Sequence, residues 1–107
     1  MGRSRRRRPK RLGEKLIRIR QAMSLSQEAL LGRLEDNAGL TQTSISGYEL
    51  GDREPSLSVL LSYARLANVH LEVLADDKLD LPDAIPSRKT HTGVVRVFDA
   101  ATGKKKR

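Results

Sequence analysis

Arg5, Arg6, Arg7 and Arg8, followed by Pro9, Lys10 and Arg11, place six cationic side chains within seven residues. A run of this kind is too charged to pack into a core and is attracted to phosphate-rich polyanions. Catalytic chemistry has far less to draw on. The chain has no Cys, which removes thiol nucleophiles, disulfides and Cys-ligated metals. Its two histidines, His70 and His91, have no partner at metal-ligand spacing, and no Gly-rich loop is available to cradle a phosphate. The Asp76-Asp77 pair reads as the solvated entry to a linker. Nothing pairs a nucleophile with a base, so the sequence predicts no enzymatic activity, no metal and no cofactor.

The distribution of charge says more than its net value of +8. Residues 1–20 hold ten Lys or Arg and one Glu (+9), residues 21–86 hold four and eleven acids (−7), and residues 87–107 hold seven and one (+6). An acidic centre therefore lies between two basic ends. General attraction to phosphate must come from the ends and from a few placed residues, not from the whole surface. Hydrophobic residues make up 37% and aromatic residues 3%, so a core must be built of Leu, Ile, Val and Ala. No apolar run approaches the roughly 18 residues of a membrane span. The basic N-terminus also lacks the apolar segment of a secretory or twin-arginine signal. These features predict a soluble, cytoplasmic protein with one small domain and two tails.

Periodicity supplies the elements that must position any functional residue. Leu12, Leu16, Ile19 and Met23 recur at the spacing of one helical face. Ser26 is a good N-cap for a second helix containing Leu30, Leu31 and Leu34. Gly39 marks a turn, Thr41 can cap a third helix with Ile45 and Tyr48, and Gly51 stands where a left-handed stop is expected. Pro55-Ser56 opens a fourth helix burying Leu57, Leu60, Leu61 and Ala64, which Asn68 can close. A short fifth helix over His70–Ala75 adds Leu71 and Leu74. Beyond Asp76 two prolines and the loss of period predict a linker or a segment draped on the surface. Val94–Phe98 is either a short strand needing an edge to pair with or an apolar patch in an unstructured tail. The reading divides the chain into a disordered basic arm (1–10), a folded domain (11–76), and a linker with a basic tail (77–107).

The second and third helices have the phasing of a helix-turn-helix. From Leu12 to Leu74 the chain resembles the phage-repressor-like, xenobiotic-response-element type of helix-turn-helix regulators. The resemblance rests on Ile17 and Arg20, Ser26-Gln27 with Leu30, and the run Gly39-Leu40-Thr41-Gln42-Thr43-Ser44-Ile45-Ser46. It continues through Tyr48-Glu49, Gly51, Pro55-Ser56-Leu57, Leu60, Val69 and Leu74. It implies an all-α, compact five-helix lambda-repressor-like domain that binds operator DNA as a homodimer. The third helix would enter the major groove, with Thr41, Gln42, Thr43, Ser44 and Ser46 on or near its reading face. Gln42 suits adenine because its amide donates and accepts at once, and Thr43 offers a hydroxyl or a methyl. The next turn of that face falls at Gly47, which carries no side chain to read a base. Gln27 matches a phosphate-binding position, the alternative being a plain helix-start residue. Arg53 either meets a flanking phosphate or pairs locally with Asp52 and Glu54. Arg20 and Glu49 match a structural ion pair joining the first and third helices.

Two departures from the family bear on groove docking. Glu35–Ala38 stands as an insertion of four residues, which either extends the second helix by about one turn or enlarges the turn. Leu31 occupies a position where relatives usually have Ala. The arm residues Arg5–Arg8 either track the DNA backbone and minor groove or act as a nonspecific solubilising tail. The function expected is a sequence-specific double-stranded-DNA-binding transcriptional regulator, a repressor rather than an activator. The alternatives are the antitoxin of a toxin–antitoxin pair, with the tail from Leu79 onward binding the toxin, and an adaptor bridging nucleic acid and protein.

Overall fold

The computed structural model describes residues 9–88, so Arg5–Arg8 and Val94–Phe98 lie outside the described residues. Five helices form: α1 (Leu12–Ala22), α2 (Gln27–Arg33), α3 (Gln42–Leu50), α4 (Leu57–Ala67) and α5 (Leu71–Ala75). No strand occurs among the described residues. The architecture is all-α.

Short polar side chains set most of the boundaries by satisfying backbone groups that a helix end leaves unpaired. Ser26, Thr41 and Ser56 each stand in extended conformation and accept from the backbone N–H of Ala29, Ser44 and Val59, respectively. At α3 the cap is reciprocal, because the Ser44 hydroxyl accepts from the Thr41 backbone N–H. Gly51 (φ 85°) and Asn68 (φ 56°) close α3 and α4 in the left-handed conformation.

Leu16, Ile19, Leu30, Ile45, Tyr63 and Leu74 are wholly buried and bring together all five helices. Leu31 lies half-buried at the edge of this core, its extra bulk absorbed there. Leu57 is an exception to the expected buried face of α4: it is 71% exposed, since it begins the helix ahead of the turn that packs. The approach of α1 to α3 is close at Gly13, where a methyl group would stand 2.5 Å from the Glu49 carbonyl oxygen.

The inserted residues enlarge the turn and do not lengthen α2. That helix ends at Arg33, and Leu34 turns extended while remaining buried. Asn37 then donates its side-chain N–H to the Leu31 carbonyl (2.7 Å), satisfying a group the helix end would leave open. The turn is fastened to α4 by three contacts. The Asp36 backbone N–H donates to Ser62 Oγ (3.0 Å), Ser58 Oγ donates to the Asp36 carboxylate, and Arg65 pairs with Glu35 (2.9 Å).

Residues 76–88 are draped along the helices. Leu81 is buried, Ile85 packs against the core, and Arg18 donates to the Pro82 carbonyl at 3.3 Å. The Ser87 backbone N–H donates to the Ala67 carbonyl (2.9 Å) and Asn68 donates to the Ser87 carbonyl (2.6 Å). Asp77 is no solvated linker entry. Its carboxylate accepts from the backbone N–H groups of Lys10 (2.8 Å) and Arg11 (2.9 Å), so it fastens the two residues that lead into α1 from 66 residues away. Arg11 answers with bonds to the Asp77 carbonyl (2.8 Å) and the Asp80 carboxylate (2.6 Å). Lys15, only 2% exposed, donates to the carbonyls of Val73 (2.7 Å) and Asp76 (3.0 Å) at the end of α5. A cation suits this place, where the last carbonyls of a helix carry partial negative charge.

Two outcomes follow from this packing. Gly13→Ala should lower the melting temperature, because overpacking costs about 1–3 kcal/mol. A backbone carbonyl cannot step aside as a side chain can, so the cost outweighs the roughly 1 kcal/mol that Ala gains in helix propensity. The second concerns acid. Hydrogen bonds from the Arg11 and Lys10 backbones hold the Asp77 carboxyl below the ordinary carboxylate range, and Arg11 does the same for Asp80. A depressed folded-state pKa contributes stability above the unfolded value that is lost as pH falls through the folded one. Asp77→Ala should therefore lower the melting temperature near neutral pH, with the gap to wild type closing below the usual carboxylate range. Thermal melts across that range measure both.

Candidate nucleic-acid interface

Glu49, on the inner face of α3, organises the polar residues at the starts of α2 and α3. Its side chain is 4% exposed and takes a two-point grip from Arg20, with Nε to Oε2 at 2.6 Å and Nη2 to Oε1 at 3.0 Å. Arg20 also donates to the Leu25 carbonyl (3.0 Å), tying the α1–α2 connection to the same group. Gln27 supplies a third donor to Glu49 through Nε2 (3.0 Å). The other end of that amide, Oε1, accepts from Gln42 Nε2 at 3.1 Å. The first residue of α3 is thus hydrogen-bonded to the first residue of α2, which is held in turn by the α1–α3 ion pair.

The residues singled out in the sequence divide by position. Thr41, Gln42 and Thr43 are exposed at the start of α3, and Ser46 is half-buried one turn on. Ser44 leaves this set as a base-reading candidate: it is 5% exposed, and its hydroxyl is committed to the reciprocal cap with Thr41. Gly47 is buried beneath Arg53. Arg53 is exposed, and no ion pair among the described residues involves it. Gln27 is half-buried, with both ends of its amide engaged within the fold.

The model of a helix-turn-helix family matches residues 16–74, from inside α1 to the last turn of α5. This is more than half of the chain. The chain belongs to that family. No curated protein and no solved structure matches it. As a helix-turn-helix protein of the phage-repressor type, the chain is a DNA-binding transcriptional regulator. The family is a DNA-binding regulatory one and generally not enzymatic. Among the described residues no helix is long and apolar enough to cross a membrane. Within the helix-turn-helix motif α2 is the first helix and α3 the second.

Sequence reasoning finds the Arg20–Glu49 pair but not the link from Glu49 through Gln27 to Gln42. A signal for it exists: each glutamine stands directly after the N-cap of its helix, the same place in two helices that must meet. Lys15 and Asp77 are also not legible as structural groups, because their partners are backbone atoms.

Removal of Arg20 would leave Glu49 buried with one neutral donor. Arg20→Ala should cost roughly 3–5 kcal/mol, as expected when one partner of a buried pair is removed. Addition of Glu49→Gln to that variant should recover part of the loss, since a neutral amide needs no cation. Denaturant unfolding of the two variants and wild type measures the difference.

Proposed function

We propose that the chain is a repressor that reads an operator in double-stranded DNA with α3, and does so as a homodimer. The observation that carries this reading is the 3.1 Å bond from Gln42 to Gln27. It couples a side chain at the groove end of α3 to one at the start of α2, which in a helix-turn-helix lies over the phosphate backbone. An amide already oriented at the surface loses less freedom on meeting a base than a loose one. Gln42 and Thr43 then read base edges, Ser46 lies one turn behind, Thr41 borders the entry, and Gln27 faces a phosphate.

The arm reading is supported by where the chain enters the described region. Pro9 and Lys10 line the same surface depression as Gly51, Arg53 and Glu54, at the flank of α3. Arg5–Arg8 adjoin Pro9 in the sequence. The dimer reading draws support from Leu50 and Leu57, 72% and 71% exposed on either side of the α3–α4 connection. Apolar side chains so bare are the ones a second copy would cover. Two half-sites about one helical turn apart would mirror that symmetry.

The test is selection from a random duplex library with the full chain near physiological salt. An inverted repeat is the expected result; enrichment of no motif would remove operator reading. Gln42→Ala should change the base preferred at one position of each half-site. Replacing Arg5–Arg8 with Ala should lower affinity for all duplexes alike. It should also flatten the log–log salt dependence by about 0.9 for each phosphate that is no longer neutralised.

A further inference from the structure

Gly47 leaves a gap on α3 one helical turn beyond Thr43, on the same face. A neighbouring residue fills it. A methyl group built on Gly47 would stand 3.0 Å from both Cγ and Cδ of Arg53 and 3.4 Å from its Cβ. The Arg53 stem therefore lies across the space that a side chain at 47 would use. The backbone brings it there. Gly51 turns the chain left-handed at the end of α3. The N–H groups of Asp52 (2.9 Å) and Arg53 (3.1 Å) then both donate to the Gly47 carbonyl oxygen, folding residues 52–53 back onto that turn of the helix. The glycine lets the stem lie this close, since a Cβ at 47 would make it give by a few tenths of an ångström.

Resting on the reading of α3 as the groove helix, we propose that Arg53 is a specificity-determining residue. Its guanidinium reads a guanine in the major groove, next to the base pair met by Thr43. Three observations favour a base edge over a phosphate. The stem runs over the reading face of α3 and not away from it. Asp52 neighbours Arg53 in the chain, and a carboxylate there opposes a phosphate more than a neutral base edge. The guanidinium is held by no ion pair among the described residues, so its fork is available for two parallel bonds. Guanine, with acceptors at O6 and N7, is the base that matches this fork. An α3 lacking a side chain at 47 would in this way keep a third reading position, supplied from the turn that follows the helix.

The experiment repeats the duplex selection with full-length wild type, Arg53→Lys, Arg53→Ala and Gly47→Ala, with the fold of each variant checked by its melting temperature. Lysine keeps the charge and loses the fork. Arg53→Ala is expected to lose preference for one G·C pair per half-site by about 5- to 150-fold, the range for a good bidentate contact, and Arg53→Lys to lose part of it. Preferences assigned to Gln42 and Thr43 should persist. Gly47→Ala, which displaces the stem, should weaken preference at the same pair. The inference is overturned if Arg53→Lys binds every sequence as wild type does while Arg53→Ala weakens all sequences equally and reduces the salt slope. That pattern identifies a phosphate contact and leaves operator reading intact. If wild type itself enriches no motif, operator reading and this inference fall together.

Discussion

Glu49 is a carboxylate placed almost out of reach of water, and such a charge is tolerated only where donors surround it. Arg20 from α1 meets both of its oxygens and Gln27 from α2 meets one of them. The pair adds little net stability, since desolvation offsets most of its attraction. What it contributes is direction. Apolar surfaces slide past one another at small cost, whereas a fork gripping a carboxylate has one good geometry. The Leu, Ile and Ala side chains hold the helices together; Glu49 decides where α1 and α2 stand against α3. The surface bond from Gln27 to Gln42 depends on that decision, because Gln27 can turn its oxygen outward only while its nitrogen is held inside.

The enlarged turn between α2 and α3 leans on a third helix. It is drawn sideways to α4, where Ser58 and Ser62 offer hydroxyls and Arg65 a cation. Leu34 remains in the core and marks the point where the chain leaves its helical path. The α3 cap begins afresh at Thr41 with its own reciprocal bonds.

Legibility in the sequence follows the range of the interaction. Ser26, Thr41, Gly51, Ser56 and Asn68 act on backbone groups within a few residues, and their residue types announce the helix ends. The buried faces of α1 and α4 carry the helical period and can be read from Leu, Ile and Ala positions, apart from the exposed Leu57 and the half-buried Leu61 of α4. Residues whose partners are distant backbone atoms are opaque. Lys15 looks like one more cation in a basic stretch, and Asp77 like one more acid in a polar one, because a carbonyl or an N–H across the fold leaves no mark on composition. Ser44 misleads for a related reason. On a helical wheel it adjoins Thr43, but its hydroxyl is shared with the cap, which wheel position does not encode. The covering of Gly47 by Arg53 depends on the chain doubling back after Gly51, and no periodic pattern describes that path.

The fastening of Asp77 to Lys10 and Arg11 also has a temporal consequence. The chain is synthesised from its N-terminus, so α1 emerges before the residues that fasten its entry. At roughly 5–20 residues per second, the 66 residues between Arg11 and Asp77 take about 3–13 s to appear. Through that interval Lys10 and Arg11 lack the carboxylate that receives their N–H groups, and Lys15 lacks the carbonyls that receive its ammonium. The nascent chain can rehearse its helices but cannot close the ring that joins its two ends. Completion of the fold is thereby tied to the release of nearly the whole domain from the ribosome.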